Sequence, residues 1–259
     1  MKIRSLGIQT DLIFHEYDAE ITDYGEFLAI KTPNNPNYRW GNYLLFDSAP
    51  QKTDMKRWQA LFEKHIGKLT HKLFAWDSPD GDLGEYAEFV AAGYSLERDI
   101  VQTSSKLIRP KAAKIDIELR PLDFRNELEP VITNHVQMRG DEDLEGYRKF
   151  WQQNALAYLK MIEAGAGLWF GAFFGDKLVA DMGLFYKGNV ARYQAVITLS
   201  EFQNKGIASN LIYYVGQYGF KNFGVKDLVI VADQSYYAKD IYYRLGFRGS
   251  EQLQALDLH

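Results

Sequence analysis

At 259 residues, 46% hydrophobic and 25% charged, the sequence has the composition of a soluble globular protein, long enough for one large or two small cores and far from a disordered chain. Its net charge of -4 and pI near 5.8 leave no excess of positive charge to neutralise a phosphate backbone, which argues against nucleic acid as a partner. The absence of cysteine excludes disulfides, thiolate metal sites and a cysteine nucleophile, and His15, His65, His71, His135 and His259 show no zinc spacing, so no metal is expected.

Gln9, Asp11 and His15 interrupt the first apolar run too early for a signal peptide, and no window approaches about 18 uninterrupted apolar residues. The expectation is a cytoplasmic protein with no membrane partner. Residues 26–31 read as a strand closed by the turn-rich 32–37, and 43–46 as a second strand. Thr53 is expected to cap a helix whose apolar residues are Met55, Trp58, Leu61, Phe62 and Ile66. A strand at 72–76, a turn at 78–81, a short helix over 83–92 ended by Gly93, and an extended run over 94–107 follow. Lys106, Arg109, Lys111 and Lys114, with Pro110, mark a linker that sets the expected boundary between halves 1–110 and 111–259.

Beyond it, 115–119 alternates as a strand, 124–138 reads as a helix and 140–143 as a loop. Leu144, Tyr147, Trp151, Ala155, Tyr158 and Ile162 recur at three- and four-residue steps, predicting an amphipathic helix that ends before Gly165 and Gly167. Strands 168–174, 178–186 and 190–198, joined by Gly175-Asp176-Lys177 and Lys187-Gly188-Asn189, predict an antiparallel meander. A helix with Ala208, Leu211, Ile212, Val215 and Gly219 on one face, a buried strand at 227–232, a helix over 236–245 and a final strand at 253–258 complete an α/β (α+β) domain with a mostly antiparallel sheet. The first half echoes that order, with Ala92-Gly93-Tyr94 where the second has Leu245-Gly246-Phe247.

The stretch 202–209, Phe-Gln-Asn-Lys-Gly-Ile-Ala-Ser, joins the strand 190–198 to the following helix. Amides at the first turn of a helix lack partners and sit at the positive end of its dipole, which makes such a loop an anion site. Gly206 permits backbone conformations and close approaches that a β-carbon blocks, Ala208 leaves the helix start uncrowded and Lys205 adds a cation. Gln203-Asn204-Lys205-Gly206-Ile207-Ala208 resembles the (Gln/Arg)-x-x-Gly-x-(Gly/Ala) signature of the GNAT N-acetyltransferases. Residues 238–247, Ala-Lys-Asp-Ile-Tyr-Tyr-Arg-Leu-Gly-Phe, resemble that family's Ala-x-x-(Leu/Ile)-Tyr-x-x-Leu-Gly-Phe segment, and the likeness runs from about residue 115 to the C-terminus.

The resemblance implies a GNAT-like mixed, mostly antiparallel central sheet flanked by helices, with acetyl-CoA as cosubstrate. It implies that Gln203, Asn204, Lys205, Gly206, Ile207, Ala208 and Ser209 hold the pyrophosphate, that Ile197, Thr198 and Leu199 offer main-chain bonds to the pantetheine arm and carbonyl, and that Tyr242 protonates the departing thiolate. Ser200 stands where the family often carries Pro, and Ser235 where an Asn frequently bonds the cofactor arm. The base is open between Glu201 beside the loop, Asp181 within an otherwise apolar strand, and an ordered water. Tyr186, Arg192, Tyr193 and Gln194 are positioned to shape an acceptor pocket, although cross-strand packing accounts for each of them alone.

The implied activity is transfer of an acetyl group to a primary amine of a small molecule or peptide by a monomer or homodimer. The alternatives are a non-catalytic acyl-CoA-binding regulatory module, or transfer of another acyl or aminoacyl group. In the first half the place of the cofactor loop is 47–54, Asp-Ser-Ala-Pro-Gln-Lys-Thr-Asp, which has no glycine, loses an amide donor at Pro50 and carries Asp47 and Asp54. The first half is therefore expected to be a degenerate GNAT-like copy without a cofactor site, with Trp40 or Trp76 available to line the acceptor pocket.

Overall fold

The structure, a computed structural model, describes residues 1–139, 143–235 and 238–259. In chain order the elements are α1 (Leu6–Asp18), β1 (Glu20–Asp23), β2 (Phe27–Lys31), β3 (Asn42–Phe46), α2 (Asp54–His65), β4 (Lys72–Trp76), α3 (Ala87–Ala91) and β5 (Ser95–Ser104). There follow β6 (Glu118–Pro121), α4 (Leu128–Arg139), α5 (Leu144–Glu163), β7 (Gly167–Phe174), β8 (Lys177–Lys187), β9 (Val190–Thr198), α6 (Ile207–Tyr218), β10 (Asp227–Asp233), α7 (Ala238–Arg244) and β11 (Arg248–Leu258). They form two compact units, one of residues 1–101, 231–236 and 249–259, the other of 102–230 and 237–248. The expected loop at 140–143 and the start of the expected helix over 236–245 fall partly outside the described residues.

In the first unit the strands lie in the order β1-β2-β3-β4-β11-β5, with β3 and β4 parallel and β4 and β11 antiparallel. Trp58 and Phe62 of α2 are buried, with Trp58 stacked on Phe46 of β3 at 3.8 Å and 7°. Phe74, Phe89 and Tyr94 complete this aromatic core. Thr53 does not cap α2 through its side chain, contrary to the sequence expectation: its backbone is left-handed, φ 78°, and Asp54 Oδ2 instead accepts from the Gln51 amide at 2.8 Å. Helix α1, which periodicity did not announce, is held at its start by carboxylates. Ser5 N donates to Asp77 Oδ1 at 2.9 Å and Leu6 N to Glu251 Oε1 at 3.0 Å, negative charge where the helix dipole favours it.

The second unit has the strand order β10-β9-β8-β7-β6, antiparallel except for the parallel pair β9–β10. Strand alternation sends Trp169 and Phe170 of β7 to opposite faces. Trp169 meets Tyr158 of α5 at 5.0 Å, and Phe170 meets Tyr218 of α6 at 5.1 Å. This is the mixed, mostly antiparallel sheet flanked by helices that the sequence predicts. Among the described residues no helix is long and apolar enough to cross a membrane.

The two units repeat local geometry. The residue before α2 and the residue before α6 are both left-handed, Thr53 at φ 78°, ψ -2° and Gly206 at φ 82°, ψ 4°. Helices α3 and α7 end alike. Gly93 has φ 95° and Gly246 φ 100°, while Tyr94 N donates to Phe89 O at 3.0 Å and Phe247 N to Tyr242 O at 3.1 Å. By this correspondence Phe89 occupies in the first unit the place of Tyr242 in the second.

Candidate functional site

The site grows from the end of β9. The register passes from Gly183↔Gln194 to Asp181↔Ile197, so Ala195 and Val196 together oppose the single Met182. That bulge puts Ala195 at φ 51° and bends the strand. On the other edge the ladder with β10 ends at Val229↔Arg192, well before β9 itself ends at Thr198. The 193–198 edge is thereby left uncommitted to β10, and Thr198 Oγ1 is buried with no hydrogen-bond partner among the described residues.

After Thr198, Leu199 is buried and its amide donates to Val179 O at 2.9 Å, anchoring the chain before a 3₁₀ turn over Ser200–Phe202. Gln203 reaches back, Nε2 donating to Thr198 O at 3.1 Å, so loop and strand end are tied together. Asn204 at φ 61° and Gly206 at φ 82° turn the chain into α6, whose start has no side-chain cap. The amides of Ile207, Ala208 and Ser209 in the first turn have no intrahelical acceptor. A segment of 111–114 backs the loop, with Lys114 N donating to Lys205 O at 2.8 Å and Asn210 Nδ2 to Lys111 O at 2.9 Å.

Glu201 is exposed and pairs with Lys177 at 2.9 Å, and that hydrogen bond holds its carboxyl below the usual glutamate range. The Lys205 ammonium contacts the Glu201 carbonyl and lies 4.9 Å from the Phe202 ring centroid. Tyr242 sits on α7, 7% exposed, with its ring edge-on to Phe247 at 6.2 Å. Ser235 falls in the first unit, its amide and hydroxyl both donating to Asp233 Oδ1, at 2.7 and 2.6 Å.

Asp181 is fully buried on β8, where its Oδ1 meets His135 Nε2 of α4 and accepts from Trp169 Nε1, both at 3.0 Å. His135 lies against the Trp151 ring at 3.7 Å and 30°. Sequence reasoning missed this partner, and apart from the apolar run around Asp181, which required one, nothing in the sequence points to it. Of the residues considered for an acceptor pocket, Tyr193 donates its hydroxyl to Ile212 O at 2.9 Å, and burial pushes that phenol well above its ordinary pKa. Gln194 Nε2 donates to Tyr158 OH at 2.8 Å, Arg192 Nε donates to Tyr193 O at 3.2 Å, and Tyr186 stacks on Phe223 at 4.6 Å.

The second unit thus carries a bulged β9, a β9–β10 ladder that stops short and an uncapped helix after a left-handed glycine. Residues 138–257 match the model of the acetyltransferase (GNAT) domain family. A conserved protein of unknown function from Staphylococcus epidermidis superposes with TM-score 0.69 at 16% identity, over 93% of this chain and 94% of that one. A GCN5-related N-acetyltransferase from Kribbella flavida gives 0.61 at 12% identity over 96% and 93%. A tandem GNAT protein from the clavulanic acid biosynthesis pathway gives 0.58 at 12% identity over 100% and 90%. At such identities the likeness is one of fold. No curated protein matches the sequence.

Proposed function

We propose that this protein is an acetyl-CoA-dependent N-acetyltransferase acting on a primary amine of a small molecule or peptide. The observation that carries the reading is the uncapped start of α6 behind left-handed Gly206, tied through Gln203 to the strand end at Thr198. First-turn amides without an intrahelical acceptor and the helix dipole suit a pyrophosphate, with Asn204 and Lys205 beside them. Ile197, Thr198 and Leu199 supply the strand end along which a pantetheine arm would lie, and the orphaned Thr198 Oγ1 fits a site completed by a ligand.

Acetyl-CoA supplies an activated thioester carbonyl. The chain's own work is to orient it, polarise it, and move two protons. Tyr242 is assigned the proton that ends on the leaving sulfur, since a phenol of pKa about 10 can protonate a thiolate whose thiol has a pKa about 8.5 at modest cost. Of the two carboxylates, Glu201 is held ionised by Lys177, which makes it a weak base. Asp181, directly across the ladder from Ile197, is assigned to the proton-accepting half of the chemistry.

Gly206→Asp tests the reading by placing bulk and negative charge where the pyrophosphate is to bind. Calorimetry with acetyl-CoA should show binding to the parent chain and none to the folded variant, while thiol release across a panel of amines distinguishes turnover from binding alone. Unchanged affinity in the variant removes the loop from the site, and tight binding without turnover favours a regulatory module.

A further inference from the structure

Asp181 presents a chemical difficulty, because a carboxylate with no exposed surface cannot itself meet an incoming amine. Its Oδ1 is engaged by Trp169 and His135, and its Oδ2 is buried without a partner among the described residues. With Asp181 ionised, its carboxylate only accepts hydrogen bonds, and His135 then presents Nε2–H to it. The neutral ring then carries its lone pair on Nδ1. Of the two side chains, only the imidazole keeps any surface open, 4% against 0%. Trp151, at 3.7 Å from the ring centroid, restricts rotation of the imidazole.

We propose that His135, held in the Nε2–H tautomer by Asp181, takes the proton from the attacking amine, with Asp181 as a positioning residue. The inference rests on the acetyltransfer reading above. Asp181 is the register partner of Ile197 beside the bulge at Ala195 and Val196, so the pair underlies the stretch of β9 assigned to the thioester. The amine nitrogen bonds to the carbonyl carbon and yields one proton to Nδ1. The carbon–sulfur bond breaks, and sulfur takes the proton of the Tyr242 hydroxyl. Imidazolium and phenolate then return to their starting states by exchanging that proton through solvent. Nothing else is consumed, since one amine hydrogen is replaced by acetyl and one hydrogen arrives on sulfur.

A histidine that only clamps α4 to the sheet would have the same contacts, so the test must separate base from clamp. His135→Gln can keep an N–H donor toward Asp181 but has no basic nitrogen. Around the ring, β8 presents Asp181, β7 presents Trp169 and α5 presents Trp151, and Asp181 is the charged group within ion-pair distance among the described residues. Turnover by thiol release should fall roughly 10²- to 10⁴-fold in His135→Gln, with acetyl-CoA affinity unchanged and the acid limb of kcat/KM lost. Asp181→Asn, whose amide can donate to Nε2 and so favours the wrong tautomer, should lower turnover in the same direction.

A folded His135→Gln chain with parental kcat and an intact acid limb overturns the proposal and leaves the acetyltransfer reading standing. A parental chain that neither binds acetyl-CoA nor releases thiol overturns both. Imidazole nitrogen NMR on the parental chain is independent of any variant's folding. A neutral His135 protonated on Nε2 supports the proposal, and one protonated on Nδ1 overturns it.

Discussion

Tyr242 and Phe89 stand at matching places before the glycines that end α7 and α3, and they differ by one hydroxyl group. Tyr242→Phe removes that hydroxyl and keeps the ring packed on Phe247. If the hydroxyl protonates sulfur, turnover should fall roughly 10²- to 10⁴-fold with little change in acetyl-CoA affinity, and parental turnover would reduce Tyr242 to packing. A second residue-scale prediction concerns Glu127, whose carboxyl is held below its ordinary value chiefly by hydrogen bonds from the Arg120 guanidinium, at 2.6 and 3.0 Å. A carboxyl whose folded pKa is depressed contributes stability above its unfolded pKa and loses it as pH falls through the folded value. Glu127→Gln should therefore destabilise by about 0.5 kcal/mol at neutral pH, a gap that closes as pH falls below the ordinary value of 4.5 in paired thermal melts. The contrast with His135 marks what a sequence can disclose about single residues. Gly206 and Tyr242 lie in local patterns that a sequence can match, whereas His135 meets Asp181, 46 positions away, only through the fold.

At the scale of elements, periodic segments are legible and strained ones are not. The β7–β8–β9 meander and α5 follow directly from alternation and from apolar residues at helical spacing, because packing on one face requires those periods. Helix α1 was hidden because much of what fixes its start, the carboxylates of Asp77 and Glu251, lies far along the chain. The bulge in β9 was hidden for a related reason: alanine at φ 51° is imposed by the neighbouring strands and has no local signature. The misread cap at Thr53 is testable. A β-branched residue pays about 1–2 kcal/mol to sit in the left-handed region, and the matching position before α6 is glycine. Thr53→Gly should raise the urea midpoint, by about 1 kcal/mol in stability, with an unchanged m-value. A lower midpoint would mean that Thr53 has packing that outweighs the strain.

For the whole molecule the question is how many cofactors one chain binds, and the parallel ladders of the two units end differently. In the second unit the parallel ladder stops at Val229↔Arg192 and leaves the rest of β9 with an open edge. In the first, β3 and β4 stay paired to the last residue, Phe46↔Trp76, and Asp77 N extends the ladder by donating to Phe46 O at 2.9 Å. No edge is left there for a pantetheine arm, and the ring of Phe46 is covered by Trp58 at 3.8 Å. The helix start is also engaged. Asp54 sits in the first turn of α2 with one carboxylate oxygen on the Gln51 amide at 2.8 Å and the other on Arg57 Nε at 3.1 Å, while Pro50 has no N–H and its carbonyl accepts from Glu85 N at 2.7 Å. A pyrophosphate would have to displace a fixed carboxylate from the one end of the helix that attracts anions, and Phe89 offers no hydroxyl where Tyr242 has one. The full chain should therefore titrate with one acetyl-CoA, and Gly206→Asp should take that stoichiometry to zero rather than to a residual weaker site. A stoichiometry of two, or binding that survives Gly206→Asp with its heat halved, would place a second cofactor at α2 and end the view of the first unit as a closed copy.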